Sequence, residues 1–212
     1  MICGAGATGL TLAIELARRG VSFRLLEQRE HPFNGSRGKG IQPRSQIFED
    51  MGIVDRLFAA GGPYPRWRTY LADGSSRDTD LADGAASTAA EPYRQPLMVP
   101  QFLTEAVLRE RLAELGQRVE FGHALTGFEQ DADGVTVRIA TPEGGQSVRA
   151  RYLVGADGGR SFVRQRRCAS AFRARRWACG RWWRTWCSKG CRARRGTTST
   201  KMTWHAASRC AR

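Results

Sequence analysis

Six residues near the start of the chain, Gly4-Ala5-Gly6-Ala7-Thr8-Gly9, have the types and spacing that hold a phosphate through the main chain. Gly4 permits a tight turn, Gly6 lets a pyrophosphate approach the backbone, and Gly9 lets a following helix pack closely on the strand before it. A helix starting here offers free N–H groups and the positive end of its dipole to the phosphates. Glu27 stands 18 residues after Gly9. A carboxylate in that position accepts hydrogen bonds from ribose hydroxyls. An acid there favours an unphosphorylated ribose, as in FAD or NAD. A glycine triplet alone is weak; a triplet in register with strand, helix, second strand and terminal acid is specific.

Those elements are legible around the motif. "MIC" is the stub of a buried strand, so close to the turn that a few residues are expected upstream, since buried strands usually run about 5–6 residues. "LTLAIELARRG" repeats apolar residues at helical spacing (Leu10, Leu12, Ala13, Leu16, Ala17) and closes on Gly20. "VSFRLLEQ" is a second strand ending in Glu27. A Gly-rich basic loop, a short helix closed by Gly52 and another short helix over "IVDRLFAAGG" follow. "RWRTYLADGSSRDTDL" reads as a hairpin around Asp73-Gly74, the start of a second sheet around residues 66–97. "LMVPQ" is a short strand, and "FLTEAVLRERLAELG" is an amphipathic helix ended by Gly116. Residues 118–155 read as three or four strands turned at Asp133-Gly134 and Glu143-Gly144-Gly145, and "RYLVGADGGRSFVRQ" as a final buried strand, a turn and a helix start. The fold class is α/β: a Rossmann-like domain with a β-rich insertion.

Three further stretches carry a resemblance. "GSRGKGIQPRSQIFEDMG", "VPQFLTEAVLRERL" and "YLVGADGGRSFVR", in that order after the glycine turn, resemble the FAD-dependent class A aromatic monooxygenases, the p-hydroxybenzoate hydroxylase-like family, in its phenol, polyketide and antibiotic hydroxylase branch. The resemblance runs almost continuously over residues 1–166. It implies that Gly4, Gly6 and Gly9 bind the FAD pyrophosphate and Glu27 the adenosine ribose. It places Arg37 near the flavin and its phosphates, Gln101 against the cofactor, Asp157 at the ribityl or pyrophosphate region, and Gly158 where the backbone approaches. Arg160 and Arg164 are candidates for phosphate or nicotinamide contacts. The implied activity hydroxylates an aromatic ring with NADH or NADPH and O2; the alternatives are an FAD/NAD-linked dehydrogenase or reductase and a non-catalytic FAD-binding remnant. Read without the resemblance, Arg37 and Lys39 are solvated loop charges, Gln101 a polar helix start, Asp157-Gly158 a turn, and Arg44 and Arg109 surface charges. His31 and His123 have no partner pattern, and no catalytic or metal-ligating set is assigned.

The end of the chain differs in composition. The whole carries a formal charge of +14, which by itself suggests a polyanionic partner. Yet residues 167–212 hold 13 of the 34 Lys and Arg, none of the 20 Asp and Glu, five of the six Cys and five of the six Trp. Residues 1–166 are left with 21 basic and 20 acidic groups. A basic arm for nucleic acid and a zinc site at Cys187, Cys191, His205 and Cys210 lack supporting patterns. Read one base late with G/C-rich wobble positions, "ACGRWWRTWCSKGCR" becomes "GVRALVADVVLEGLS", a strand with its acids restored. Residues 167–212 therefore read as an out-of-frame translation and not a domain, with no nucleic-acid partner. No stretch reaches the roughly 18 apolar residues of a membrane span. The start lacks a signal-peptide pattern, and the single cysteine of the body, Cys3, suits a reducing cytoplasm.

Overall fold

The computed structural model describes residues 1–35, 38, 40–42, 46–79, 87–168, 175–176 and 182–183. Two compact units divide the chain, Met1–Ala169 and Ser170–Arg212. In chain order the first contains β1 (Ile2–Cys3), α1 (Ala7–Arg18), β2 (Leu25–Glu27), α2 (Gln46–Asp50), α3 (Val54–Ala60), β3 (Gly62–Pro63), β4 (Trp67–Tyr70), β5 (Ser76–Thr79) and β6 (Leu97–Met98). It continues with α4 (Gln101–Glu114), β7 (Val119–Phe121), β8 (Ala124–Gln130), β9 (Val135–Thr141), β10 (Gly144–Ala150), β11 (Val154–Gly155), a 3-10 turn (Gly158–Arg160) and α5 (Phe162–Cys168). In the second unit the described residues are β12 (Arg175–Arg176) and β13 (Trp182–Trp183), an antiparallel pair.

Four short parallel strands form the central sheet, in the order β11-β1-β2-β7. β1 lies in its middle, with Ile2 paired to both Leu25 and Val154 and Cys3 to both Leu26 and Gly155. Alternate residues of a strand face opposite sides, and the core follows that rule. Ile2 and Leu25 pack with Leu10, Ala13 and Ile14 of α1 and Leu108 and Leu112 of α4, all fully buried. Leu26 packs on the other face against Val135, Val137 and Ile139 of β9. The antiparallel meander β10-β9-β8 thus covers one face of the parallel sheet, and the helices cover the other. Burying one such aliphatic side chain stabilises by about 1.5–3 kcal/mol, so these two clusters set the position of everything at the strand ends.

Glycines stop the helices where the sequence places them: Gly20, Gly52 and Gly116 all have positive φ. The expected hairpin is β4–β5, with Gly74 at φ +83°, and all eight strand residues are exposed. A separate antiparallel pair joins β3 to β6. One expectation is corrected. The last strand is not buried: β11 has two residues at the sheet edge, Val154 is 40% exposed and nearby Tyr152 is 71% exposed. The apolar run "LV" looks the same whether one face or both are covered, and among the described residues no strand pairs with the outer edge of β11. None of the described helices is long and apolar enough to cross a membrane.

Candidate dinucleotide site

The C-terminal ends of β1 and β11 lie side by side, and each runs into a glycine turn. In an open parallel sheet, ligands bind outside these strand ends, where neighbouring connections diverge. Here β1 leads to α1 and β11 leads to the 3-10 turn and α5. The amide of Ala156 donates to the Cys3 carbonyl at 2.7 Å, so the two turns are tied at their bases.

Gly4 has φ +102°, and a Cβ there would stand 2.5 Å from the Ala156 carbonyl oxygen. A Cβ on Gly9 would stand 1.9 Å from the Gly4 carbonyl oxygen. Both positions exclude a side chain for steric reasons. Gly6 is different: the nearest atom to a Cβ there is Glu105 Oε1 at 3.7 Å, so its surface is open to the cleft. α1 begins at Gly6 with no side-chain cap and no acid in its first turn. Its first amides and dipole end are left for an anion.

Glu27, 8% exposed, closes β2 and turns back to the glycine loop. Its carboxylate accepts from the Ala5 amide at 3.0 Å and the Arg29 amide at 3.2 Å, with the Arg29 guanidinium 3.6 Å away. The acid is therefore fixed against the loop whose ligand it would share. Across the cleft, Asp157 Oδ2 accepts from the Val163 amide at 3.1 Å, while Oδ1 is buried with no partner among the described residues. A buried acceptor without a donor costs free energy that a ligand donor recovers. Gly158 has φ +76° and no atom within 4 Å of a Cβ. The Cys3 thiol lies beneath both turns; burial first, then the charges of Asp157 and Glu27, push its pKa up to about 12, so it stays protonated.

The cleft has a volume of about 180 Å³. Gly4, Gly6, Glu27, Gln101, Asp157 and Gly158, all singled out from sequence, line it together. Gly9 sits one turn into α1 and acts by packing. Arg37, also singled out, lies outside the described residues. Arg160 lines the cleft, but Arg164 turns back to donate to the Gly159 carbonyl at 2.9 Å and braces the turn. Two residues read as bland from sequence are placed otherwise. Arg109, expected at the surface, is half-buried in the cleft wall, and burial lowers its pKa. His123 lines the cleft with Nδ1 2.7 Å from the Phe121 carbonyl. Glu105, 3% exposed, was not singled out at all. The signal for it was available: Gln101, Glu105 and Arg109 follow at i, i+4, i+8 on one helix face.

The residues fit a dinucleotide with its pyrophosphate at the glycine turn. Sites for whole drug-sized ligands run about 300–1,000 Å³, so the described residues wall only part of one. A model of the FAD binding domain matches residues 1–182, and the chain belongs to that family. It is 41% identical over 170 residues to a flavin-dependent monooxygenase of Mycobacteroides abscessus, covering 78% of this chain and 36% of the relative. It is 41% identical over 165 residues to a 12-dehydrotetracycline 5-monooxygenase/anhydrotetracycline 6-monooxygenase of Streptomyces rimosus, covering 78% and 31%. The crystal structure of the flavin-dependent monooxygenase PieE with FAD and substrate superposes with a TM-score of 0.67 at 30% identity, covering 77% of this chain and 30% of that one. The chain thus spans about a third of the length of the curated relatives it matches.

Proposed function

We propose that this chain is the FAD-binding part of a flavoprotein monooxygenase that hydroxylates a phenolic or polyketide-like aromatic ring with NAD(P)H and O2. The observation that carries this reading is the meeting of two turns on adjacent parallel strands at one cleft: a glycine cradle shaped for a pyrophosphate, and Asp157, whose carboxylate has one buried oxygen without a partner among the described residues. Gly4, Gly6 and Gly9 shape the phosphate turn, Glu27 accepts from the adenosine ribose, and Asp157 accepts from a ribityl hydroxyl or a neighbouring donor. Gly158 keeps the backbone open beside it, and Gln101 contacts the cofactor from the start of α4. Arg37 belongs to the same set through its motif. When bound, FAD supplies the redox chemistry, taking electrons from NAD(P)H and passing one oxygen atom of O2 to the ring. The residues of this chain bind and orient it and shield its phosphates from water. None is assigned as catalytic. The working location is the cytoplasm.

Residues 1–166 are the domain in this reading, and residues 167–212 an out-of-frame tail. Sequencing the gene across codons 160–175 tests that division; a coding frame without a family-like continuation in the alternative register rejects it. For the function, the 212-residue chain is mixed with FAD and desalted. Retained flavin absorbance is expected, and none rejects the FAD assignment. The full-length product of the restored frame is then supplied with NADH or NADPH, phenols and isotopically labelled O2. Label in a hydroxylated product is expected. Nicotinamide oxidation with no label in any product favours a dehydrogenase or reductase.

A further inference from the structure

The cleft has a third wall besides the two turns. Gln101, Glu105 and Arg109 project from α4 at successive turns, about 6 Å apart, and all three line the cleft. Gln101 Nε2 donates to Glu105 Oε1 at 2.6 Å. That same oxygen is the nearest atom to the open face of Gly6. A buried carboxylate therefore faces the place where the glycine turn would hold a pyrophosphate. Like charges brought together away from bulk water repel strongly, so this juxtaposition calls for a cation.

Three described arginines line the cleft: Arg29, Arg109 and Arg160. Arg29 is committed to Glu27 at 3.6 Å and lies over the Phe33 ring at 5.0 Å. Arg160 is exposed and belongs to the opposite turn. Arg109 is half-buried one turn beyond Glu105, and among the described residues its guanidinium forms no hydrogen bond or ion pair. A half-buried guanidinium without an acceptor is costly unless something supplies one.

Building on the dinucleotide reading above, we infer that Arg109 is a diphosphate-contacting residue of this site, offsetting the charge of Glu105, and that Glu105 is the positioning residue that fixes the Gln101 amide opposite Gly6. The ligand class is the diphosphate of a dinucleotide. Glu105 then serves as a charge that makes the site selective for a ligand able to engage Arg109.

The test titrates FAD, by flavin fluorescence quenching, into the full chain and into R109Q, R109K, E105Q and the R109Q/E105Q double variant. ADP is titrated in parallel by calorimetry, and melting is recorded without ligand. A hydrogen bond to a charged group is worth about 1.5–3 kcal/mol, so R109Q should weaken FAD at least about tenfold. R109K should recover most of that loss, since it restores the charge. The double variant should bind more tightly than R109Q alone, because the unmatched carboxylate is gone. Wild-type affinity in R109Q overturns the inference. So do equal losses in R109Q and R109K, or a double variant no better than R109Q, since these mark a structural role. If the unaltered chain binds ADP but not FAD, and R109Q weakens ADP, the inference stands and the FAD assignment falls. Binding of neither overturns both.

Discussion

The turn at Gly4–Gly9 follows a strand buried in the middle of the sheet, whereas the turn at Asp157–Gly158 follows a two-residue strand at its edge. The first is held by close packing and a side-chain hydrogen bond: Gly4 against Ala156, Gly9 against Gly4, and Glu27 bonded to Ala5. The second is held by hydrogen bonds: Ala156 to Cys3, Ser161 to Gly158, Val163 to Asp157 and Arg164 to the Gly159 carbonyl, with one buried Asp157 oxygen unpaired among the described residues. The first turn is set by steric exclusion at its glycines, the second by hydrogen bonds around an edge strand.

Substitutions separate the two most sharply at Gly9. Gly9→Ala would put a methyl group 1.9 Å from a backbone oxygen that cannot move without displacing β1. Overpacking of this kind costs about 1–3 kcal/mol or more, so chemical denaturation should show a large loss of stability and FAD binding should vanish with it. Asp157→Asn should behave in the opposite way. The Val163 bond is retained through the amide oxygen, so ligand-free melting should hardly change, while FAD affinity falls about tenfold with the loss of a charged acceptor. A ligand-free melt that collapses in Asp157→Asn would show that both turns are built alike. Gly158→Ala meets no neighbour and carries only the strain of φ +76°, about 1–2 kcal/mol for an L-residue. Its denaturation midpoint should therefore fall less than that of Gly9→Ala.

The smallest effect lies away from both turns. Glu114 sits between Arg56 of α3 and Arg111 of α4, and hydrogen bonds to these two hold its carboxyl at about 2, below the ordinary 4.5. A depressed carboxylate pKa adds stability above pH 4.5 that is lost as pH falls toward 2. Glu114→Gln should therefore melt slightly below the unaltered chain at pH 7, with the gap closing near pH 2 and FAD binding unaffected. The residue is exposed, so screening keeps the effect small.

The better-packed turn was also the more legible one. Gly4, Gly6, Gly9 and Glu27 act through local backbone constraints, and these leave a fixed spacing in the sequence. Asp157-Gly158 was readable only through its resemblance to a family motif, since the two residues alone spell an ordinary turn. The apolar run before them suggested a buried strand, because pattern reports which residues are apolar but not whether a neighbour covers them. Arg109 was misread and Glu105 overlooked for a related reason. On an amphipathic helix a charge is expected to face water, and only the tertiary placement of α4 turns that face to the cleft. Counting forward from Gln101 in steps of four would have found both. Arg37 stays with its motif alone.

The pairing of β1 with β11 also sets an order of events during synthesis. Ile2 and Cys3 find Val154 and Gly155 across more than 150 residues of intervening chain. Contacts this distant in sequence form late, because the loop between them must close first. A nascent chain can make β1, α1 and β2 early, yet the backstop that Ala156 gives to Gly4 arrives only when almost the whole body has left the ribosome. Until then the first strand keeps an open edge, and the phosphate cradle is half a cradle.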